Sequence, residues 1–284
     1  MTLRIGHIDY LNCVPFFHYL RADQADDRIL KGTPAQLNTL LAQGQIDLCP
    51  ASSFEYGRHW SDYLLLPDLS ISACGAVKSV LLFSSWPLAE LTDSPIAVTG
   101  ESATSVHLLQ ILLREVYGFE RFHLQCPECP VEEVIAAGGA GLLIGDRALQ
   151  AAKAKLAPYV FDLGALWHAF SGLPFVFALW IVRRDTVAAK EAEVAQLQGR
   201  LQTSLTRALA DLPSLAEQAA GSSCLTPKEL LAYWRAMSFG FTDAHQQGLK
   251  LFFQLAVKHR FLESPPKLHF FASSFSVDAP SLID

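Results

Sequence analysis

The sequence predicts an α/β fold arranged as two lobes. Short apolar runs alternate with amphipathic helical stretches up to about residue 180, the pattern of β-α-β units. The alternation starts afresh after Trp86-Pro87, and a strand-like run near residue 176 returns the chain to where it began. Beyond Asp185 the pattern changes to long amphipathic helices. The expected organisation is a first lobe of residues 1–85 and 176–284, interrupted by a second lobe of residues 86–175. Two crossings make a hinge, and the cleft between lobes is the favoured place for a ligand.

Residues 4–10 read as a strand ending in Tyr10-Leu11-Asn12, and residues 14–20 as a short helix with Pro15 at its start. Residues 28–32 form a weak second strand. Thr33-Pro34 has the signature of an N-cap followed by a first-turn proline. Leu37, Leu40 and Leu41 share one face of the helix it opens, and Gly44 is placed to end it. Residues 46–51 are a buried strand closing in Ser52-Ser53, with a helix from Phe54; residues 63–71 and 79–84 are further strands. This order favours a largely parallel sheet.

In the second lobe residues 96–99 are a short strand, and Leu108, Leu109, Leu112 and Val116 mark a strong helix. Residues 122–125 resume a strand, and a short helix over 131–137 is broken by Gly138-Gly139-Ala140-Gly141. Residues 142–144 are a buried strand ending in Gly145-Asp146-Arg147, before another helix. Residues 172–180 return as a strand, followed by helices at roughly 186–211, 226–236 and 243–261. Thr226-Pro227-Lys228-Glu229 has capping-box spacing. The tail from Ser264 is rich in Pro, Ser and Phe without periodicity, and there is no internal repeat.

Composition narrows the function classes. The 22 Lys and Arg against 28 Asp and Glu leave a net charge of −6, and no basic block is present. Nucleic acid and anionic membrane surfaces are therefore poor partners, while a small anion remains open through local dipoles. No apolar stretch reaches the ~18 residues of a membrane span. The N-terminus lacks the charged and apolar regions of an export signal, so a cytoplasmic protein is expected. The six cysteines are then expected to be reduced, buried, small hydrophobes. His123, Cys126 and Cys129 form half of a zinc motif with no second half, and a loop with Pro127 and Pro130 is the plainer reading.

Candidate site residues cluster at strand ends. Asn12 can both donate and accept hydrogen bonds at the carboxyl end of the first strand, where open α/β sheets bind ligands. Glu101-Ser102-Ala103-Thr104-Ser105 places small hydroxyls at a strand-to-helix turn, suited to a carboxylate or to an ordinary N-cap. Ser52-Ser53 carries the same two readings. Ser79 precedes a strand near the proposed crossing, and Asp146-Arg147 sets a charge or an ion pair at a strand end. No nucleophile elbow, P-loop, H-E-x-x-H or dinucleotide fingerprint is present. The residues alone therefore describe a two-lobed α/β protein that binds a small polar molecule.

Several motifs occur together in one order: Arg4-Ile-Gly-x-Ile-x-Tyr-Leu-Asn12, the run 66–72, the run 79–84, Glu101-Ser-Ala-Thr-Ser105, the run 142–149 and the run 171–180. This series resembles chorismate dehydratase, the first enzyme of the futalosine route to menaquinone, from about residue 3 to about residue 262. The resemblance implies a periplasmic-binding-protein type II-like fold used as a cytoplasmic, cofactor-independent lyase. It implies that chorismate loses water to give 3-[(1-carboxyvinyl)oxy]benzoate. It carries catalytic roles to Asn12 and Ser79, with Tyr10, Ser52, Ser53, Ser102, Thr104, Ser105 and Asp146 binding substrate. Asp9 and His7 depart from the family pattern; strand alternation turns Asp9 away from Tyr10 and Asn12, so an ion-pairing role is expected for it. The competing readings are a non-catalytic solute-binding protein and the related 1,4-dihydroxy-6-naphthoate synthase.

Overall fold

The computed structural model describes residues 2–20, 27–91, 95–221 and 223–273. Two five-stranded sheets organise the chain. The first is built from β1 (Arg4–Ile8), β2 (Arg28–Gly32), β3 (Leu48–Ser52), β4 (Tyr63–Ala73) and β10 (Phe175–Arg183), in the order β2-β1-β3-β10-β4. The second contains β5 (Val80–Ser84), β6 (Ile96–Val98), β7 (Leu124–Gln125), β8 (Ala140–Ile144) and β9 (Tyr159–Asp162), in the order β7-β6-β8-β5-β9.

Each sheet is mixed, which corrects the expectation of largely parallel pairing. β1 pairs in parallel with β2 and β3, and β6 with β7 and β8. β10 runs antiparallel to β3 and β4, and β5 antiparallel to β8 and β9. The reversed strand is in both cases the first one after a crossing. A chain that leaves one sheet at the cleft enters the other from its cleft end, and so runs against its new neighbours. The expected lobe boundary at residue 85 is displaced for the same reason: β5 belongs to the second sheet, and the first crossing lies between Ala73 and Val80.

Helices cover both sheets. They are α1 (Val14–Phe17), α2 (Pro34–Ala42), α3 (Ser53–His59), α4 (Ala103–Glu115), α5 (Val131–Ala136), α6 (Gly145–Lys153) and α7 (Leu163–Ser171). After β10 come α8 (Arg184–Ala210), α9 (Leu212–Ala220), α10 (Pro227–Ala236) and α11 (Asp243–Lys258). Local chemistry sets their starts. Thr33 and Gln36 form a capping box ahead of Pro34, Thr226 and Glu229 another ahead of Pro227, and Ser102 caps α4 through the Ser105 amide. Gly44 ends the α2 segment at φ +69, as its position predicts. β9, α7 and α9 have no counterpart in the sequence reading.

One large core runs under both sheets, with Trp167, Trp180 and Trp234 fully buried in it. A smaller cluster under α5 and α6 includes Leu81, Phe83, Val131 and Ile135. The cysteines do not follow their expectation. Cys13 and Cys49 are buried, but Cys74, Cys126 and Cys129 are exposed thiols. Among the described residues no group of three His, Cys, Asp or Glu side chains is placed to hold a metal. No helix among them is long and apolar enough to cross a membrane. The tail pairs with β4 where Phe270 bridges Leu65, and it is held by Tyr56, whose phenol donates to the Lys267 carbonyl at 2.8 Å. The last part of the expected tail, residues 274–284, lies outside the described residues.

Candidate active site

A cavity lies between the two sheets, at the strand ends where a ligand is expected. It opens at the carboxyl ends of β1, β3 and β8, where Tyr10 and Asn12, Ser52, and Ile144 and Gly145 reach it. Ile8, Ile71, Val77, Val80 and Phe177 supply apolar wall, and Ser79, Ser102 and Ser105 add hydroxyls. Among the described residues none lining it is charged. Four helices instead begin at its wall: Pro34 and Gly145 are the first residues of α2 and α6, and Ser52 and Ser102 cap α3 and α4. The positive ends of four helix dipoles therefore converge on a cavity without a cation, an arrangement that favours a small anion.

Asn12 sits in the 3-10 turn Leu11–Cys13 that follows β1, and its Oδ1 is buried without a hydrogen-bond partner. A buried acceptor left open in this way costs free energy until something donates to it. Ser79 is 2% exposed and lies in the first crossing. Its Oγ accepts a hydrogen bond from the Tyr233 phenol at 2.9 Å. The crossing itself is held by Asp162, whose carboxylate accepts from the Val77 and Lys78 amides at 3.1 and 2.6 Å. Ser52 is oriented by Asn38, which donates to its Oγ at 3.1 Å. Ser102 and Ser105 are joined through their hydroxyls at 2.9 Å.

Charge is kept to the rim. The Tyr10 phenol donates to Glu101 at 3.2 Å, and burial together with that carboxylate pushes its pKa up. Arg147 lies 3.3 Å from Glu101 and binds Glu132 through two bonds, which hold the Glu132 carboxyl below its ordinary range. Asp146 accepts from the Leu11 amide at 3.1 Å; burial raises its pKa, and that bond partly opposes the rise. Gly145, at φ +58, lies against Tyr10, and a Cβ there would come within 2.8 Å of the phenol ring.

Six of the nine expected site residues line the cavity: Tyr10, Asn12, Ser52, Ser79, Ser102 and Ser105. Three do not. Thr104 is 1% exposed and accepts from the Phe54 amide at 3.0 Å, with Ser53 at 3.4 Å, so these two hydroxyls join the sheets to each other. Asp146 faces an outer groove with Asp9 and Lys31. Alternation along one helix turn puts Thr104 and Ser53 on buried faces, which a run of small hydroxyls does not reveal. Asp9 pairs with Lys31 at 2.9 Å in the open, the role expected of it. Sequence reasoning missed Tyr233, Asn38 and Phe177. Tyr233 shares a buried stripe with Leu230 and Trp234, and a phenol in such a stripe was the available signal.

The family model described as menaquinone biosynthesis matches residues 3–258. A chorismate dehydratase from Thermus thermophilus is 35% identical over 263 residues, covering 87% of this chain and 93% of the relative. Among solved structures, a protein from Archaeoglobus fulgidus superposes with a TM-score of 0.72 at 18% identity, over 92% of this chain and 98% of that one. A Candida albicans protein with the generic periplasmic binding protein fold gives 0.67 at 11% identity, over 98% of this chain and all (100%) of that one. These two likenesses are of fold alone. The family match takes in both sheets and every lining residue of the cavity, and the chain belongs to the menaquinone biosynthesis family.

Proposed function

We propose that this chain dehydrates chorismate to 3-[(1-carboxyvinyl)oxy]benzoate in the futalosine route to menaquinone. One observation carries the reading: in a chain 35% identical to a chorismate dehydratase, the cavity offers hydroxyls, an open amide oxygen and helix N-termini, and no carboxylate, histidine or lysine lines it among the described residues. Chorismate is a dianion, and the converging dipoles suit its two carboxylates. The elimination removes the hydrogen at ring C3 and the hydroxyl at C4. The C3–H electrons become a ring double bond, the C4–O bond breaks, and the departing oxygen takes a proton to leave as water. The ring is then aromatic, and no oxidant or reductant enters the balance.

With no carboxylate, histidine or lysine lining the cavity among the described residues, the substrate's enolpyruvyl carboxylate takes the C3 proton. The carboxylic acid so formed returns that proton to the departing oxygen. The protein contributes position and charge stabilisation. Asn12 accepts from a substrate hydroxyl through its open Oδ1, and Ser79 donates to the leaving hydroxyl. Tyr10, Ser52, Ser102 and Ser105 orient the carboxylates, while the apolar wall of Ile71, Val77 and Phe177 takes the ring face. The two units close over the substrate about the crossings. The proposed compartment is the cytoplasm, where exposed thiols such as Cys74, Cys126 and Cys129 stay reduced.

Incubation with chorismate is expected to yield the aromatic enolpyruvyl ether, followed by absorbance and mass, with no pyruvate released. Chorismate bound tightly but recovered unchanged would identify a binding protein instead. Asn12→Ala and Ser79→Ala should each lower kcat by roughly a hundredfold or more, the usual loss for a group that orients or stabilises the reacting atoms. Either variant retaining kcat within about twofold removes that residue from its role.

A further inference from the structure

We propose that Tyr233 is a positioning residue that directs the Ser79 hydroxyl at the departing group. The inference rests on the dehydratase reading and adds a residue that no sequence motif contains.

Three consecutive residues of α10 reach the two strand ends that carry Asn12 and Ser79. The Ala232 carbonyl accepts from the Lys78 ammonium at 3.0 Å, the Tyr233 phenol donates to Ser79 Oγ at 2.9 Å, and the Trp234 indole donates to the Leu11 carbonyl at 2.8 Å. Lys78 is held at φ 64, an uncommon conformation for a residue with a side chain, directly before Ser79. One helix turn from the C-terminal part of the chain thus braces the residues on either side of the cavity.

The direction of the bond gives it a chemical consequence. A serine hydroxyl has one proton. Because Tyr233 donates, one Ser79 lone pair is occupied and that proton must point elsewhere. Its protein alternative is the Val77 carbonyl at 3.5 Å, at the far limit of a hydrogen bond. The proton is therefore available to a ligand oxygen in the cavity. A chain of donors, phenol to serine to leaving hydroxyl, also polarises each member, so Ser79 becomes the stronger donor as the C4–O bond lengthens. Tyr233 is 1% exposed, and burial keeps its phenol protonated and so able to donate to Ser79.

The test is a double-mutant cycle in the full chain, with wild-type turnover of chorismate established first, so that failure of the dehydratase reading is seen separately. Tyr233→Phe should lower kcat roughly five- to tenfold, the worth of one buried neutral hydrogen bond, with KM within about twofold. In the Ser79→Ala background the same substitution should change kcat less than about twofold, because its route of action is gone. Equal losses with and without Ser79 would show a merely structural role and overturn the proposal, as would an unchanged kcat in Tyr233→Phe. Should Tyr233→Phe fail to fold, a fluorinated tyrosine installed at position 233 keeps the packing and strengthens the donor. It should raise kcat only while Ser79 is present, and no change in kcat overturns the assignment.

Discussion

A carboxamide oxygen buried without a partner costs on the order of 1–3 kcal/mol, and Asn12 carries that cost at the mouth of β1. Nothing in the local fold requires it, since the 3-10 turn around Asn12 forms without a side-chain cap. A ligand that donates to it recovers the cost, so binding strength and strain are placed at the same atom. His7, in β1 and two residues before Asp9, shows the opposite use of burial. Its ring stacks on Phe17 at 3.8 Å, and burial, helped by Lys31, pushes its pKa down to about 4. Between pH 6.5 and 4 the unfolded chain takes up a proton that the folded chain refuses, so stability falls with pH across that window. His107 and His245 shift the same way and add to the slope. The His7→Gln variant should lose less of its Tm than the wild type between those pH values, by roughly 2–4 °C in scanning calorimetry. Equal losses would mean that His7 does not contribute to the acid limb.

At the scale of elements, the site is a meeting of helix starts. The chain writes several of these starts plainly: Thr33-Pro34, Ser52, Ser102 and Thr226-Pro227 all cap as their residue types predict. The helix α10 is the instructive case. Thr226 accepts from the Glu229 amide at 3.3 Å and Glu229 returns a bond to the Thr226 amide at 2.7 Å. Thr226→Ala should cost about 1 kcal/mol and lower Tm by roughly 2–4 °C. kcat at 25 °C should hold until the helix loosens, because the cap lies two turns from Tyr233. A large loss of kcat at full stability would show that the cap itself sets the site. Other elements were silent in the sequence. α7 carries Trp167 in a stretch without clear helical spacing, and β9 is a four-residue edge strand whose first two residues are exposed. Short, half-exposed elements take their structure from neighbours rather than from pattern.

The whole molecule is closed by contacts on both flanks of the cavity. Tyr10 donates to Glu101 on one side, and on the other the Phe54 amide donates to Thr104 while Lys258 and His259 bind Glu115 at 2.8 and 2.6 Å. Each links the first-sheet unit to the second. Combining Tyr10→Phe with Thr104→Val removes one bond from each flank, the first to a carboxylate at roughly 1.5–3 kcal/mol and the second neutral at roughly 0.5–1.5 kcal/mol. KM should rise roughly tenfold, with a larger radius of gyration for the ligand-free variant in small-angle scattering. An unchanged KM and radius would show that packing alone holds the units together.

By itself the sequence determined the α/β class, a chain that passes twice between two groups of strands, most helix starts and six residues that line the cavity. These depend on caps, prolines and apolar spacing, whose physics acts within one or two turns of chain. The tertiary structure alone decided the rest. It reversed β5 and β10, because a chain entering a sheet from the cleft must run against it. It turned Ser53 and Thr104 from the cavity to the seam between units. It also brought Tyr233 to Ser79 across 154 residues. Contacts at such separation are set by how the units pack, and no local pattern encodes which hydroxyl will face which.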